Sequence, residues 1–169
     1  GTEYISSQIG SEMKSTAYKA ILLSTLAMLI YITLRFEFGF ALGAIVALVH
    51  DVLITIGIFT ALGFQFNLTI VAAMLTIVGY GVNDTIVLFD RVREELKQNN
   101  KLSFPELANK CINVTLSRTL LTSITTLITV AALMIFTSGD IFGFATCMLI
   151  GIIVSTFSTI FIATPAMLA

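Results

Sequence analysis

"LTIVAAMLTIVGYGVNDTIVLFDRVREE", Leu68 to Glu95, begins as an apolar run and ends as the charged tip of a water-soluble helix. The hydrocarbon core of a bilayer takes about 20 apolar residues to cross. A run of that length in lipid must be helical, because every backbone polar group needs a partner within the segment. Asp84 interrupts the run. It stands before Asp90, where the charged surface starts, and at helical rise this places it roughly 9 Å inside. A carboxylate at that depth is costly, faces the interior of a bundle and marks an ion or proton path, or a buried polar anchor between helices.

The rest of the chain has the same character. Of its 169 residues 57% are hydrophobic, more than a soluble domain of this size can hide. The net charge of −1 comes with no basic stripe and no RNA-binding signature, which excludes nucleic acid as a partner. There is no zinc-ligand spacing, so no metal is expected. No nucleophile–base pair, phosphate-binding loop or HExxH pattern points to an enzyme. Cys111 and Cys147 lie far apart in different contexts and read as packing residues rather than a disulfide. Gly1 is not an initiator methionine and no signal peptide opens the chain, which reads as a piece of a longer protein or a processed or tagged form.

The fold class expected is all-α, a polytopic membrane helix bundle. Apolar spans are predicted at about 18–34, 38–62, 68–89, 113–136 and 141–166, after an extracytoplasmic lead-in over 1–17. Short breaks separate them at Arg35–Gly39, Leu62–Asn67 and Thr137–Asp140. The long connection, a cytoplasmic loop over 90–112, contains Ser103 three residues before Glu106. That is a capping box and predicts a short surface helix. With the N-terminus outside, the inner loops carry Arg35, Arg91, Arg93, Lys97, Lys101 and Lys110, against Lys14 and Lys19 outside. The bias of cations toward the cytoplasm favours that orientation and a cytoplasmic C-terminus.

His50, Asp51, Asp84 and Arg118 are the ionisable groups within spans. Thr76, Tyr80 and Asn83 follow helical spacing beside Asp84, so one face of that helix is polar. Gly79 and Gly81 flank Tyr80 and allow a kink or close packing just before the acid. Thr115, Thr119, Thr122, Thr126 and Thr129 form a second polar stripe beside Arg118. The two polar faces lie at similar depth and predict Asp84 and Arg118 as partners. The arginine stays charged and can tune a proton on Asp84 without carrying it. Alternatively, Arg118 only snorkels to the interface. Asp51 is the deepest acid and Thr55 shares its face. His50 points about 100° away from it, so the two need not form one site. GxxxG patterns at Gly39–Gly43 and Gly139–Gly143 add weak support for close helix contacts.

"VGYGVNDTIVLFDRVREEL" resembles the long signature of the SecF subunits of the bacterial SecD–SecF complex. "ALVHDVLITIGIF" resembles their preceding span and "INVTLSRTLLTSITTLITV" the next, in the same order and spacing. The resemblance runs from about Gly10 to the end, and the asparagine–aspartate–threonine form is similar to SecF rather than SecD. It implies the resistance–nodulation–division superfamily, with this chain as the last five spans of a six-span unit. It also implies a bacterial inner-membrane protein that uses the proton-motive force, with no cofactor, to help secreted polypeptides across. Its implied partners are SecD, the SecYEG channel, the translocating chain, membrane lipid and, indirectly, SecA. The family's membrane aspartate falls on Asp84 and its arginine on Arg118. Asn83, Thr85, Asp51, His50, Tyr80 and Thr122 are possible path or support residues. Gly81 stands where the family often has a small polar residue, and the "IGSEM" opening lacks the family's proline. Two rival readings are a structural scaffold for the export complex without proton conduction, and a proton-driven small-solute exporter of the same superfamily.

Overall fold

The computed structural model describes residues 2–35, 38–98 and 102–168. They form α1 (Thr2–Arg35), α2 (Phe38–Ala61), α3 (Leu68–Gln98), α4 (Phe104–Phe136) and α5 (Gly139–Ser158), then a π-helical turn (Thr159–Ala163) and α6 (Thr164–Leu168). No strand occurs among the described residues. Within them, four stretches are long and apolar enough to cross a membrane: Gly39–Ala61, Leu68–Gln98, Phe104–Phe136 and Gly139–Met167. In α1 the apolar stretch is the shorter Leu22–Leu34. The all-α bundle of apolar helices is as expected. Phe36 and Glu37 of the predicted charged turn, and Lys101 of the predicted loop, lie outside the described residues.

The connection between the third and fourth spans differs from expectation. It is not a loop carrying a short surface helix. Helix α3 runs on through its charged tip to Gln98, as the soluble-helix character of that stretch predicts, but the helix that starts after Ser103 is not short and continues unbroken to Phe136. The cap is the predicted one: the Glu106 carboxylate accepts from the Ser103 N–H at 3.0 Å and from its hydroxyl at 2.6 Å. Beyond the apolar run, side-chain pairs hold α3 helical. Arg91 donates to Glu94 at 2.7 Å and to Glu95 at 2.6 Å, the spacing at which helical neighbours meet. Lys110 of α4 reaches the other oxygen of Glu95 at 2.7 Å. The two helices are thus fastened to each other beyond the apolar run. At the opposite end Asn67 accepts from the Ile70 N–H at 3.0 Å and donates to Asp140 at 2.8 Å. That bond ties the α2–α3 turn to the start of α5.

Two apolar clusters fill the interior. One gathers Phe40, Ala44 and Leu48 of α2 with Leu88, Phe89 and Val92 of α3, Leu107 and Cys111 of α4, and Ala163 and Met167. The other gathers Phe59 of α2, Ile70, Met74 and Ile77 of α3, Val130 of α4, and Cys147, Met148 and Ile152 of α5. On α2, α4 and α5 the buried polar side chains fall between the two: Asp51 and Thr55, Thr119 and Ser123, Ser155, Ser158 and Thr159. On α3 Asp84 and Thr85 lie between Ile77 and Leu88. Both cysteines are free and buried, in keeping with packing roles.

Pro165 accounts for the π turn. It lacks an N–H, and its ring clashes with the carbonyl four residues earlier in an α-helix; widening the preceding turn by one residue relieves both problems. Thr164 donates its hydroxyl to the Thr159 carbonyl at 3.1 Å, so that acceptor is satisfied. Gly43 packs against this segment with no room to spare. A Cβ there would lie 2.7 Å from the Ala163 carbonyl oxygen and 3.1 Å from the Met167 nitrogen. Backbone atoms cannot rotate away, so Gly43→Ala is expected to cost about 1–3 kcal/mol, read as a lowered midpoint of thermal unfolding in detergent.

Candidate functional site

The polar layer holds the sequence-predicted residues in two groups. Asp84 is 5% exposed, and its Oδ2 has no hydrogen-bond partner. Arg118 acts on it electrostatically, yet no contact ion pair joins them among the described residues, and Arg118 is exposed. The two are neighbours in field rather than in contact. Arg118 faces an open cavity of about 580 Å³ that is also lined by Asp90, Arg93 and Lys97. Helix α3 is continuous through Gly79 and Gly81. Gly79 has open space around it, whereas a Cβ on Gly81 would lie 2.4 Å from the Ser155 hydroxyl and 3.2 Å from an Asp51 carboxylate oxygen. Close packing is therefore what Gly81 provides.

Asp51 forms the second group. Its carboxylate lies 3.2 Å from His50 Nδ1, so the adjacent pair that helix geometry left open does meet. Its side chain is 8% exposed against 29% for His50. Hydroxyls of Ser155 and Ser158 flank it from α5. Thr55, one turn on, is buried with its hydroxyl unpartnered. The Thr85 hydroxyl stands 3.4 Å from that of Thr159.

Tyr80 belongs to a third arrangement. It donates to Ser123 at 3.3 Å, Ser123 and Thr156 are joined at 2.8 Å, and Thr156 donates to the Ile152 carbonyl at 2.7 Å. Thr156 spends its proton on the carbonyl, so Ser123 must donate to Thr156. The hydroxyls then point one way through α3, α4 and α5. Asn83 is exposed on the bundle surface. Thr122 is also exposed, and its hydroxyl donates to its own helix at Arg118 and Thr119. Thr115, Thr125, Thr126 and Thr129 return their hydroxyls to α4 in the same way. Apart from the buried Thr119, the hydroxyls of the threonine stripe are thus satisfied within α4.

Ser155, Ser158, Thr159 and Ser123 escaped the sequence reading. Single hydroxyls in an apolar run are ordinary, and the signal available was only their shared 3–4 spacing. The clasp between Glu95 and Lys110 was missed because the two residues lie on different helices.

The model for the family described as protein export membrane protein SecD/SecF, C-terminal, matches residues 1–169. The chain belongs to this SecD/SecF family. It is 50% identical over 163 residues to the protein translocase subunit SecF of Calditerrivibrio nitroreducens, covering 95% of this chain and 54% of that one. It is 46% identical over 161 residues to SecF of Vibrio alginolyticus, covering 95% and 51%. The crystal structure of SecDF from Thermus thermophilus, a translocon-associated membrane protein, superposes with a TM-score of 0.91 at 40% identity, covering 95% of this chain and 22% of that one. The SecD/SecF chain described here thus spans about half the length of these SecF relatives. Family and apolar helices together make it a multi-pass protein of the bacterial inner membrane.

Ser123→Ala removes both hydrogen bonds of the hydroxyl run at its centre. Interhelical hydrogen bonds in membrane proteins average about 0.6 kcal/mol, so a loss of about 1 kcal/mol is expected, measured by reversible unfolding in mixed micelles.

Proposed function

We propose that the chain is the membrane portion of a SecF subunit that couples the proton-motive force to the late steps of protein export. The observation that carries this reading is Asp84, a carboxylate 5% exposed inside an apolar span with one oxygen unpartnered. A group held there as a permanent anion needs fixed donors. Asp84 Oδ2 has none among the described residues, and its cation, Arg118, lines an open charged cavity. That geometry suits a carboxylate that gains and loses a proton, with Arg118 favouring its release toward the cytoplasm.

In this reading the N-terminus is outside, and Asp84 takes up a proton from the extracytoplasmic side and gives it up inward. Its charge sets its attraction to Arg118, so the neutral and ionised forms favour different seatings of α3 against α4. SecD is the proposed partner on the face where Thr76, Gly79 and Asn83 of α3 and Arg118 and Thr122 of α4 are exposed. Polar groups on a membrane surface favour cover by protein over lipid. The SecYEG channel, the emerging polypeptide and, through the channel, SecA complete the proposed assembly. The process consumes protons and needs no other cofactor.

A scaffold role without proton conduction is the rival, supported by the threonine stripe that satisfies itself. Asp84→Asn in the full-length protein separates the two. With membrane level and SecD association normal, the expected result is loss of the gradient-dependent part of export while the remainder persists. Export that still responds fully to the gradient supports the scaffold.

A further inference from the structure

Two buried carboxylates outside the Asp84 position are held in opposite ways. Glu95 is clasped by Arg91 and Lys110 at 2.6 and 2.7 Å. Both partners are fixed donors, and neither can accept a proton back. Asp51 is surrounded differently. Its neighbours are His50 Nδ1 and the hydroxyls of Ser155 and Ser158. The Ser155 hydroxyl can donate to a carboxylate or accept from a carboxylic acid. The Ser158 hydroxyl, whose proton goes to the Ser155 carbonyl at 3.2 Å, can accept from the acid. A neutral imidazole nitrogen donates or accepts according to its tautomer. No lysine or arginine contacts Asp51 among the described residues. The titratable group beside it is His50 of its own helix. From α5, Ser155 and Ser158 present only hydroxyls, and from α3 the nearest acid is Asp84, one turn beyond Gly81. The surroundings accommodate either charge state, as a packing anchor does not require.

The surroundings also include spare capacity. The Thr55 hydroxyl is buried without a partner among the described residues, and the residue is 0% exposed. The absent side chain of Gly81 lets Ser155 and Asp51 close against α3. Beside Gly81 is a small cavity of about 10 Å³, lined by Asp51, Gly81, Thr85 and apolar neighbours. That is about the space for one water, which needs polar partners to stay, and Asp51 and Thr85 offer them.

We propose that Asp51 is a second proton-binding carboxylate of this bundle, served by a water seated in that cavity between Asp51 and Thr85. The proposal rests on the proton-coupled reading above. A proton arriving on that water passes to an Asp51 oxygen: one O–H bond of the protonated water breaks, one forms on the carboxylate, and neutral water and a carboxylic acid remain. The reverse step discharges it. The change in charge alters how strongly Asp51 attracts the Thr85 and Ser155 hydroxyls, and so how α3 sits against α2 and α5 within one turn of Asp84.

The test uses the full-length protein with SecD in proteoliposomes carrying an internal pH-sensitive dye, with a pH gradient imposed. Asp51→Asn is expected to slow proton uptake about tenfold or more at normal assembly. Gly81→Ala, whose methyl needs the space that the Ser155 hydroxyl holds and crowds the adjoining cavity, is expected to do the same once the Ser155 side chain turns aside. Gly81→Ser is expected to retain uptake within about twofold, because its hydroxyl takes the place of the water. The Gly81 pair decides the matter alone should Asp51→Asn fail to assemble. Uptake unchanged in Asp51→Asn and Gly81→Ala, but abolished in Asp84→Asn, overturns this proposal and leaves the Asp84 reading standing. Equal loss in Gly81→Ala and Gly81→Ser also overturns it, since space rather than a hydroxyl would then matter. Uptake unchanged in Asp84→Asn removes the proton-coupled reading and this proposal with it.

Discussion

The bundle depends on a polar layer held between two apolar clusters. In lipid the hydrophobic effect does little to bring helices together once they are inserted, so association rests on close packing and hydrogen bonds between helices. Here the apolar clusters supply the packing and the layer between them supplies the bonds. Ser123 joins α3, α4 and α5 through Tyr80 and Thr156. Thr85 meets Thr159 across α3 and the π turn. Gly81 lets α3 approach Ser155 and Asp51 closely. Both acids proposed to bind protons sit in this layer, where water is scarce and a change of charge is felt strongly.

Burial alone does not separate a structural carboxylate from a protonatable one. Glu95 and Asp51 are each 6% exposed and Asp84 is 5% exposed. What differs is the company. Glu95 sits between an arginine and a lysine and fixes α3 to α4 beyond the apolar run. Asp51 sits among groups that donate or accept as needed. Asp84 has a cation near it but not on it. On the proposed reading the three acids form a series from locked to switchable, and the order follows from donor chemistry rather than depth.

Much of this was legible in the sequence. The apolar runs announced the helices, and the misplaced charges announced Asp84, Asp51 and Arg118. The capping box at Ser103 was found where the pattern placed it. The length of the helix after that cap was misjudged, because the polar stretch from Phe104 to Ile112 reads as a surface segment apart from the apolar span, whereas α4 is continuous through it. The charged tip of α3, legible as helix, is held by Arg91, Glu94 and Glu95 pairing along it and by Lys110 reaching Glu95 from α4. The ring of hydroxyls around Asp51 was hidden for a related reason. Periodicity reports which face of a helix a residue occupies and is silent about which helix that face meets. Ser155 and Ser158 acquire meaning only beside Asp51, a hundred residues earlier in the chain.

The π turn before Pro165 has a consequence for azimuth. An extra residue in one turn rotates everything after it by about 100° relative to an uninterrupted α-helix. Along α5 the buried positions Met148, Ile152, Ser155 and Thr159 keep ordinary helical steps, and Ala163 and Met167 then follow at intervals of four. Without the bulge, the sides of the helix bearing Ile162 and Ala166 would drift toward α2. Ala163 and Met167 would turn from Gly43, and the glycine would face a crest instead of a trough. Loss of the bulge with every residue kept would therefore act as a twist, re-aiming the last turn with its composition unchanged. Deleting one residue of Thr159–Ala163 together with the bulge would instead shorten the helix and leave Ala163 and Met167 aimed at Gly43.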